Sequence, residues 1–250
     1  MSTVTVVTAS TGRPSLAKCI QSVANQKVAD GVKIQHLIFA DGPECNSKVK
    51  NIAYAASIKF IHADVIQLPQ SVGKDRWNGH RMYAAGSFLA AGDHVMFLDD
   101  DNTIDPTHIQ DCLAAVAVNN APWAYSLRKI VDAQGNFLCN DDCESLGRHH
   151  TVMNQNDYLV DVNCYFLSKP LAVQLAPIWN RKAREPGVME VDRALIKVLL
   201  QNQVPGAETG QYTVNYAVGG NALSVAPEFF IQGNKKMNEI YKGDFPWRKK

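Results

Sequence analysis

Three carboxylates in a row at the end of an apolar strand constrain this chain more than anything else in it. Residues 95–102 read Val-Met-Phe-Leu-Asp-Asp-Asp-Asn. The four apolar residues predict a fully buried strand, and the acids after them would repel one another unless a cation or cationic ligand sat among them. In an open α/β sheet, ligands gather outside the carboxyl ends of the strands, so a central parallel strand would bring Asp99, Asp100 and Asp101 to that edge. A plainer reading is a solvated loop capping the helix that starts near Pro106, a task Asp105 could do alone. The triplet has more acids than a cap requires, and the expectation is a metal site.

The same edge collects other polar loops. Residues 3–8, β-branched throughout, predict a buried first strand. The loop Ala9-Ser-Thr-Gly-Arg-Pro14 follows, then Ser15 as N-cap and a helix with Leu16, Cys19, Ile20 and Val23 on one face. Through Ser10 and Arg13 this loop is a candidate ligand cradle, although it carries neither GxGxxG nor GxxxxGK. A second strand over residues 34–40 delivers Asp41-Gly-Pro43 to the same edge, a tripeptide that equally suits a simple turn. A helix over residues 47–56 and a strand near 58–68 complete the next crossover. Gly73-Lys-Asp-Arg-Trp-Asn-Gly79 then opens a helix with Met82, Ala85, Phe88 and Leu89 at helical spacing. Lys74 and Arg76 precede it, either to neutralise phosphate oxygens or as a solvated charged turn.

Regular alternation ends after the helix traced by Ile109, Leu113, Val116 and Val118. Residues 123–131 and 136–138 predict an antiparallel hairpin across Asp132-Ala-Gln-Gly135. Residues 140–156 read as a long polar loop near the site, with His149 and His150 facing solvent. A strand over residues 158–167 and a helix to about Trp179 come next. Another helix runs over residues 193–200, with Glu190 and Asp192 at its start, where acids also suit the helix dipole. Residues 211–218 predict a last strand, 219–221 a turn and 227–241 a peripheral helix. The end, Phe245-Pro-Trp-Arg-Lys-Lys250, suits a surface contact.

Composition excludes more than it assigns. Lys and Arg number 25 against 24 Asp and Glu, so the formal charge of +1 gives no global reason to expect nucleic acid or an anionic membrane as partner. No apolar run approaches the ~20 residues of a membrane span, and no signal peptide precedes the first strand; the expectation is a cytoplasmic protein able to lie against a membrane. The six cysteines are scattered and read as reduced. Cys139 and Cys143 flank two aspartates, but no second pair or nearby histidine completes a zinc set.

The order of these parts resembles the family-2 glycosyltransferases, nucleotide-sugar enzymes of the GT-A fold. Val4-Thr-Val-Val-Thr8 and Arg13-Pro-Ser-Leu-Ala-Lys-Cys-Ile-Gln-Ser-Val-Ala-Asn-Gln26 look like that family's first strand and helix, ending in its Ser-x-x-x-Gln. Asp41 stands where the family has an acid that bonds the nucleotide base. Leu98-Asp-Asp-Asp-Asn102 is similar to the family's DXD-type element, which implies Asp101 as the main ligand of Mn²⁺ or Mg²⁺, with Asp99 and Asp100 on ribose or bound water. Glu190-Val-Asp192 resembles the segment supplying the general base, Asp192 first and Glu190 in reserve. Many members carry a histidine near the C-terminal strand that completes the metal site, whereas Tyr216-Ala-Val-Gly-Gly-Asn221 offers none.

The resemblance implies an α/β, GT-A (Rossmann-like) domain over residues 1–250, with a mixed, mostly parallel central sheet flanked by helices and a small antiparallel hairpin region. Residues 1–105 would bind the nucleotide, 106–225 the acceptor, and 226–250 would form a peripheral helix and tail. The implied activity is metal-dependent, inverting transfer from a nucleotide-sugar, UDP-sugar first, to an acceptor hydroxyl on a glycan or lipid-linked glycan. Thr8, Ser10, Arg13, Asp41, Lys74, Arg76, Asp99 and Asp100 would hold the donor. A nucleotidyltransferase of similar fold and a non-catalytic sugar- or nucleotide-binding module are the alternatives.

Overall fold

The structure, a computed structural model, describes residues 2–56, 63–219 and 225–248. Its first half alternates strand and helix: β1 (Thr3–Ser10), α1 (Leu16–Ala24), β2 (Lys33–Ala40), α2 (Pro43–Ala56), β3 (Ala63–Gln67), α3 (His80–Leu89) and β4 (His94–Phe97). β5 (Thr103–Ile104), α4 (His108–Asn119), β6 (Trp123–Val131), β7 (Phe137–Asn140), β8 (Tyr165–Ser168), α5 (Lys169–Leu175), α6 (Val191–Gln201), β9 (Gly206–Ala217) and α7 (Pro227–Tyr241) follow. The strands form one mixed sheet in the order β3-β2-β1-β4-β8-β6-β9-β5, with β7 on β6. β3, β2, β1 and β4 run parallel, so their carboxyl ends share an edge. β8 reverses the direction against both β4 and β6, and β9 returns parallel to β6.

The reasons are local. Val4, Val6 and Val7 of β1 and Val95, Met96 and Phe97 of β4 are buried, as strands covered on both faces require. Leu16, Cys19, Ile20 and Val23 are the buried face of α1 at the expected spacing. Ser15 makes no side-chain capping bond: its own backbone is already helical, and Ala17 N–H donates to Pro14 O at 3.3 Å. Ser22 and Gln26 turn out to be fasteners. Gln26 Nε2 donates to Asp105 O at 2.7 Å and its Oε1 accepts from Ile109 N–H at 3.0 Å, while Ser22 Oγ accepts from Ile104 N–H. They tie the end of α1 to the start of α4, directly beneath the acid triplet.

Several expectations shift. In α3 the buried residues are His80, Met82, Tyr83, Gly86 and Ser87, while Phe88 and Leu89 are exposed. The helix lies so close to β1 that a Cβ on Gly86 would stand 2.4 Å from Val7 Cγ1, so its inner face combines Met82 and Tyr83 with small residues at the point of closest approach. Val118 is likewise exposed on α4. The strand expected over residues 158–167 forms only at Tyr165–Ser168; before it, Asp161 accepts from Asn163 N–H and caps a 3₁₀ turn at Val162–Cys164. Residues 58–62 of the third-strand expectation and residues 220–221 of the expected turn lie outside the described residues.

The two largest corrections concern the loop at residues 140–156 and the tail. Asp141, Cys143 and Leu146 are fully buried in that loop. The tail is not a free surface element: Phe245 and Trp247 join Leu127, Ile130, Phe230 and Met237 in a second apolar core. Trp247 Nε1 donates to Asp142 Oδ1 at 2.9 Å, and Arg248 Nη2 pairs with Asp142 Oδ2 at 2.5 Å. All six cysteines are free thiols. Among the described residues no helix is long and apolar enough to cross a membrane. Replacing a buried tryptophan by alanine leaves a cavity, so Trp247→Ala is expected to lower the unfolding free energy by about 3–5 kcal/mol in a urea titration.

Candidate active site

β1, β2 and β4 deliver their polar loops to one cleft of about 670 Å³, lined by Ser10, Arg13, Asp41, Arg76 and the three consecutive aspartates. This is the edge at which open α/β sheets bind ligands. After Phe97 the chain makes one more ladder bond, Leu98 N–H to Val7 O at 3.0 Å, and then turns, with Asn102 N–H donating to Asp99 O at 3.1 Å. The turn fans the three side chains out. Asp100 points inward and is 1% exposed, whereas the Asp101 side chain keeps 30% of its surface accessible. Asp105 takes no part in capping through its carboxylate, which binds Lys129 at 2.5 Å and Asn215 at 2.9 Å. The solvated-loop reading does not describe this turn.

Each aspartate has a different partner set. Asp100 accepts from Ser10 Oγ at 2.5 Å and from Arg13 Nη2. Asp101 Oδ2 accepts from Arg13 Nη1 at 2.7 Å. Asp99 accepts from the Tyr83 hydroxyl and, at 3.0 Å, from Asn163 Nδ2. Burial pushes the Asp99 carboxyl upward and repulsion by Asp101 adds to this, against the hydrogen bonds from Tyr83 and Asn163. Asp100 is also raised by burial, with Arg13 and Ser10 opposing. Burial would lower the Arg13 guanidinium, but Asp100, Asp101 and Asp99 outweigh it and hold the charge firmly in place.

Asp41 closes the opposite wall. It is 6% exposed, and it gathers the loop after β3: Val72 N–H at 2.7 Å, Gly73 N–H at 3.2 Å and Ser71 Oγ at 2.9 Å all donate to its carboxylate. A Cβ on Gly73 would meet Asn78 O at 2.5 Å and Asp41 Oδ2 at 2.6 Å, so only glycine lets this loop approach. Asp75, Arg76 and Asn78 all take left-handed φ, an uncommon concentration for residues with side chains. The loop is clasped by the segment before α6. Ala183 N–H donates to Arg76 O at 2.7 Å, Arg76 Nη1 to Arg184 O at 3.0 Å, and Arg184 N–H to Glu190 Oε1 at 2.7 Å.

A buried polar network runs from the triplet into the second half of the sheet. Asn163 Oδ1 accepts from Asp99 N–H at 2.7 Å, and its Nδ2 donates to Asp161 Oδ1 at 2.7 Å. Arg128, 2% exposed, then donates to Asp161 at 2.5 Å and to Asp141 and Glu144 at 2.7 Å, with its guanidinium 4.3 Å from the Tyr216 ring centroid. Arg193 holds Asp157 at 2.9 Å and Glu144 at 3.4 Å. Asp192 stands in the first turn of α6 beside this network, with the Tyr165 hydroxyl on its backbone oxygen at 3.1 Å. Its carboxyl is pushed up to about 7, by burial first and then by the charges of Asp161 and Glu144, against Arg193.

Ser10, Arg13, Asp41, Arg76 and the aspartate triplet therefore meet, and four expected donor or base residues, Thr8, Lys74, Glu190 and Asp192, stand apart from that lining. Thr8 lies under the floor, fully buried, sharing a 2.9 Å hydrogen bond with His36, whose burial holds it neutral with its pKa lowered to about 3. Lys74 is exposed and pairs with Glu44 at 2.9 Å. Glu190 secures the loop at Arg184, and Asp192 borders the network rather than the cleft. His149 lies 3.5 Å from Glu208, also outside that cleft. Tyr83 and Asn163 escaped the sequence reading. Tyr83 had a signal, its helical spacing on the buried side of α3; Asn163 had none, because its role depends on a 64-residue contact.

No cluster of three or more His, Cys, Asp or Glu side chains is arranged to hold a metal among the described residues, Cys139 and Cys143 included. Asp101 and Asp99 are nonetheless hard oxygen donors on the cleft wall. Two carboxylates completed by substrate phosphates is how Mg²⁺ is commonly held, so the pair fits a cation that arrives with an anionic ligand rather than one caged in advance.

Comparison with known proteins gives two positive findings. The family described as Glycosyl transferase family 2 matches residues 3–137, more than half of the chain. The fold is similar to S. aureus TarS 1-349, solved in complex with UDP and with UDP-GlcNAc. Identity is 14% in both cases, with TM-scores of 0.62 and 0.64, covering 98% of this chain and 67% and 68% of those chains. A further S. aureus TarS structure aligns at 15% identity and TM-score 0.60, with 40% of its length covered. No curated protein matches the chain in sequence.

Removing one member of a buried ion-pair network leaves uncompensated charge. Arg128→Leu takes the cation from Asp141 and Asp161 and leaves Glu144 only Arg193 at 3.4 Å, and it is expected to cost about 3–5 kcal/mol of stability by chemical denaturation.

Proposed function

The chain belongs to glycosyl transferase family 2, and from that premise we propose that it transfers a sugar, with inversion at the anomeric carbon, from a nucleotide-sugar to an acceptor hydroxyl, with Asp192 as general base. A UDP-sugar is the donor we favour, because the GT-A relatives with the same sheet were solved with UDP and UDP-GlcNAc. The observation that carries the reading is the separation of carboxylates by environment. Asp100 and Asp101 are paired with Arg13 in the cleft and Asp99, also raised to about 7, is held there by Tyr83 and Asn163, whereas Asp192, raised to about 7 as well, stands outside the cleft lining in the first turn of α6. A base titrating near neutrality is matched to taking a proton from a hydroxyl as it attacks.

In this mechanism the nucleotide enters the cleft between Asp41 and the triplet. Asp41 already holds the 71–73 loop through both carboxylate oxygens and would receive the base by exchanging one of these contacts, and Arg76 lines the mouth where phosphate oxygens would lie. Asp101 and Asp99 would hold a divalent cation, which when bound offsets the charge gathering on the departing nucleoside diphosphate. The acceptor, a glycan or lipid-linked glycan, approaches on the α6 side, where Asp192 receives its proton. A single displacement from the face opposite the leaving group gives inversion.

Asp192→Asn is expected to reduce transfer by about 10²–10⁴-fold while leaving UDP affinity within a factor of about two, read by isothermal titration and product formation; equal transfer by this variant would remove Asp192 from the role of base. Below about 7 Asp192 is protonated and cannot accept a proton, so kcat/KM should climb with pH and level off above about 7. Asp101→Ala should abolish any stimulation of donor hydrolysis by Mn²⁺, measured as UDP release with and without the ion.

A further inference from the structure

Arg13 already occupies the position that a cation would need. Its loop is built to bring it there. Gly12 N–H donates to Ser10 Oγ at 2.9 Å, Ser10 Oγ donates to Asp100 at 2.5 Å, and Arg13 O starts α1 through Leu16 N–H. The two ends of the guanidinium fork are in unlike surroundings. Nη2 binds Asp100, which is sealed from water, and Nη1 binds Asp101 at 2.7 Å, whose side chain is 30% exposed on the cleft wall. One contact is structural and the other is exchangeable.

Arginine keeps its charge at any ordinary pH, so this counter-ion cannot be titrated away. It can only be outcompeted or given another acceptor. A hydrated divalent cation arriving alone at Asp101 must displace Nη1 and then sit beside an unpaired positive charge. A cation arriving with a diphosphate brings anionic oxygens that suit the same planar fork, because guanidinium pairs phosphate as readily as carboxylate.

We propose that Arg13 is the resident counter-ion of the aspartate triplet and makes cation binding conditional on a nucleoside diphosphate: Nη2 stays on Asp100 while Nη1 passes from Asp101 to a phosphate oxygen, freeing Asp101 for the ion. The exchange involves no covalent step, and each charge keeps a partner throughout. It rests on the reading of this cleft as a nucleotide-sugar site and adds to it a reason for free metal to bind weakly there. In thermodynamic language, Arg13 supplies a positive coupling between cation and nucleotide, and that coupling must be reciprocal.

The test is a titration of the full chain with Mn²⁺, following the loss of the free-ion electron paramagnetic resonance signal, with and without saturating UDP, for the wild type, Arg13→Gln and Arg13→Lys. Wild type is expected to bind Mn²⁺ weakly alone and roughly 5–150-fold more tightly with UDP. Arg13→Gln should bind Mn²⁺ alone about tenfold or more tightly than wild type, because three carboxylates then lack a counter-charge, and UDP should add correspondingly less. Arg13→Lys should fall between, since an ammonium point charge lacks the fork that bridges two carboxylates, and it carries the test if the glutamine variant does not fold. Unchanged affinity for Mn²⁺ alone in both variants, with UDP still strengthening it, would overturn the exchange and leave the nucleotide-sugar reading standing. Absence of Mn²⁺ binding in every protein even with UDP would overturn the exchange together with the metal part of that reading.

Discussion

Negative charge gathered along one edge of a sheet is the constraint on which this structure depends. Asp99, Asp100, Asp101, Asp161, Asp141, Glu144 and Asp157 belong to a chain of contacts opposed by three arginines, Arg13, Arg128 and Arg193. Taking carboxylates out of water is costly, and the cost is offset only where each lone pair finds a donor. Asp141 illustrates how thoroughly that is done. Burial would raise it, yet Arg128 and the N–H groups of Ser145 and Cys143 hold it below the usual carboxylate range. Such a network stabilises little in net terms but tolerates few alternative arrangements, so it registers the two halves of the sheet on one another.

Surplus negative charge has a chemical use at both ends of the network. At the cleft end it creates a place that demands a cation, and Arg13 fills that demand. At the far end it lifts Asp192 towards neutrality, where a carboxylate becomes a competent proton acceptor. Asn163 joins these ends with three side-chain hydrogen bonds, and an amide suits the position because it carries both a donor and an acceptor and no charge of its own. A carboxylate there would add to the repulsion that the arginines offset.

The tail and the loop at residues 140–156 complete the scaffold from behind. Loop backbone normally stays at the surface because buried polar groups must be satisfied. Here Asp141 satisfies three N–H groups of its own loop, at Cys143, Glu144 and Ser145, and Asp142 receives Trp247 and Arg248. That permits Cys143 and Leu146 to join an apolar core with Phe230 and Trp247. Arg128 lies over the rings of Tyr216 and Phe230, so this core packs directly against the acid network.

What the sequence alone determined is whatever has a short period or a short span. The buried strands at β1, β2 and β4, the face of α1, and the arrival of Ser10, Asp41 and Asp99–Asp101 at one edge follow from β-branched runs, helical spacing and right-handed crossovers. Tertiary structure alone decided which polar groups meet across long separations. Thr8 and Arg13 are five residues apart, yet one is sealed against His36 and the other bridges two aspartates some ninety residues away. The polar run after β7 became core because Arg128, folded in from a neighbouring strand, made burial of its acids tolerable. Hydrophobic period is a property of neighbours in the chain, whereas charge compensation is a property of neighbours in space, and only the second settles where a carboxylate can lie.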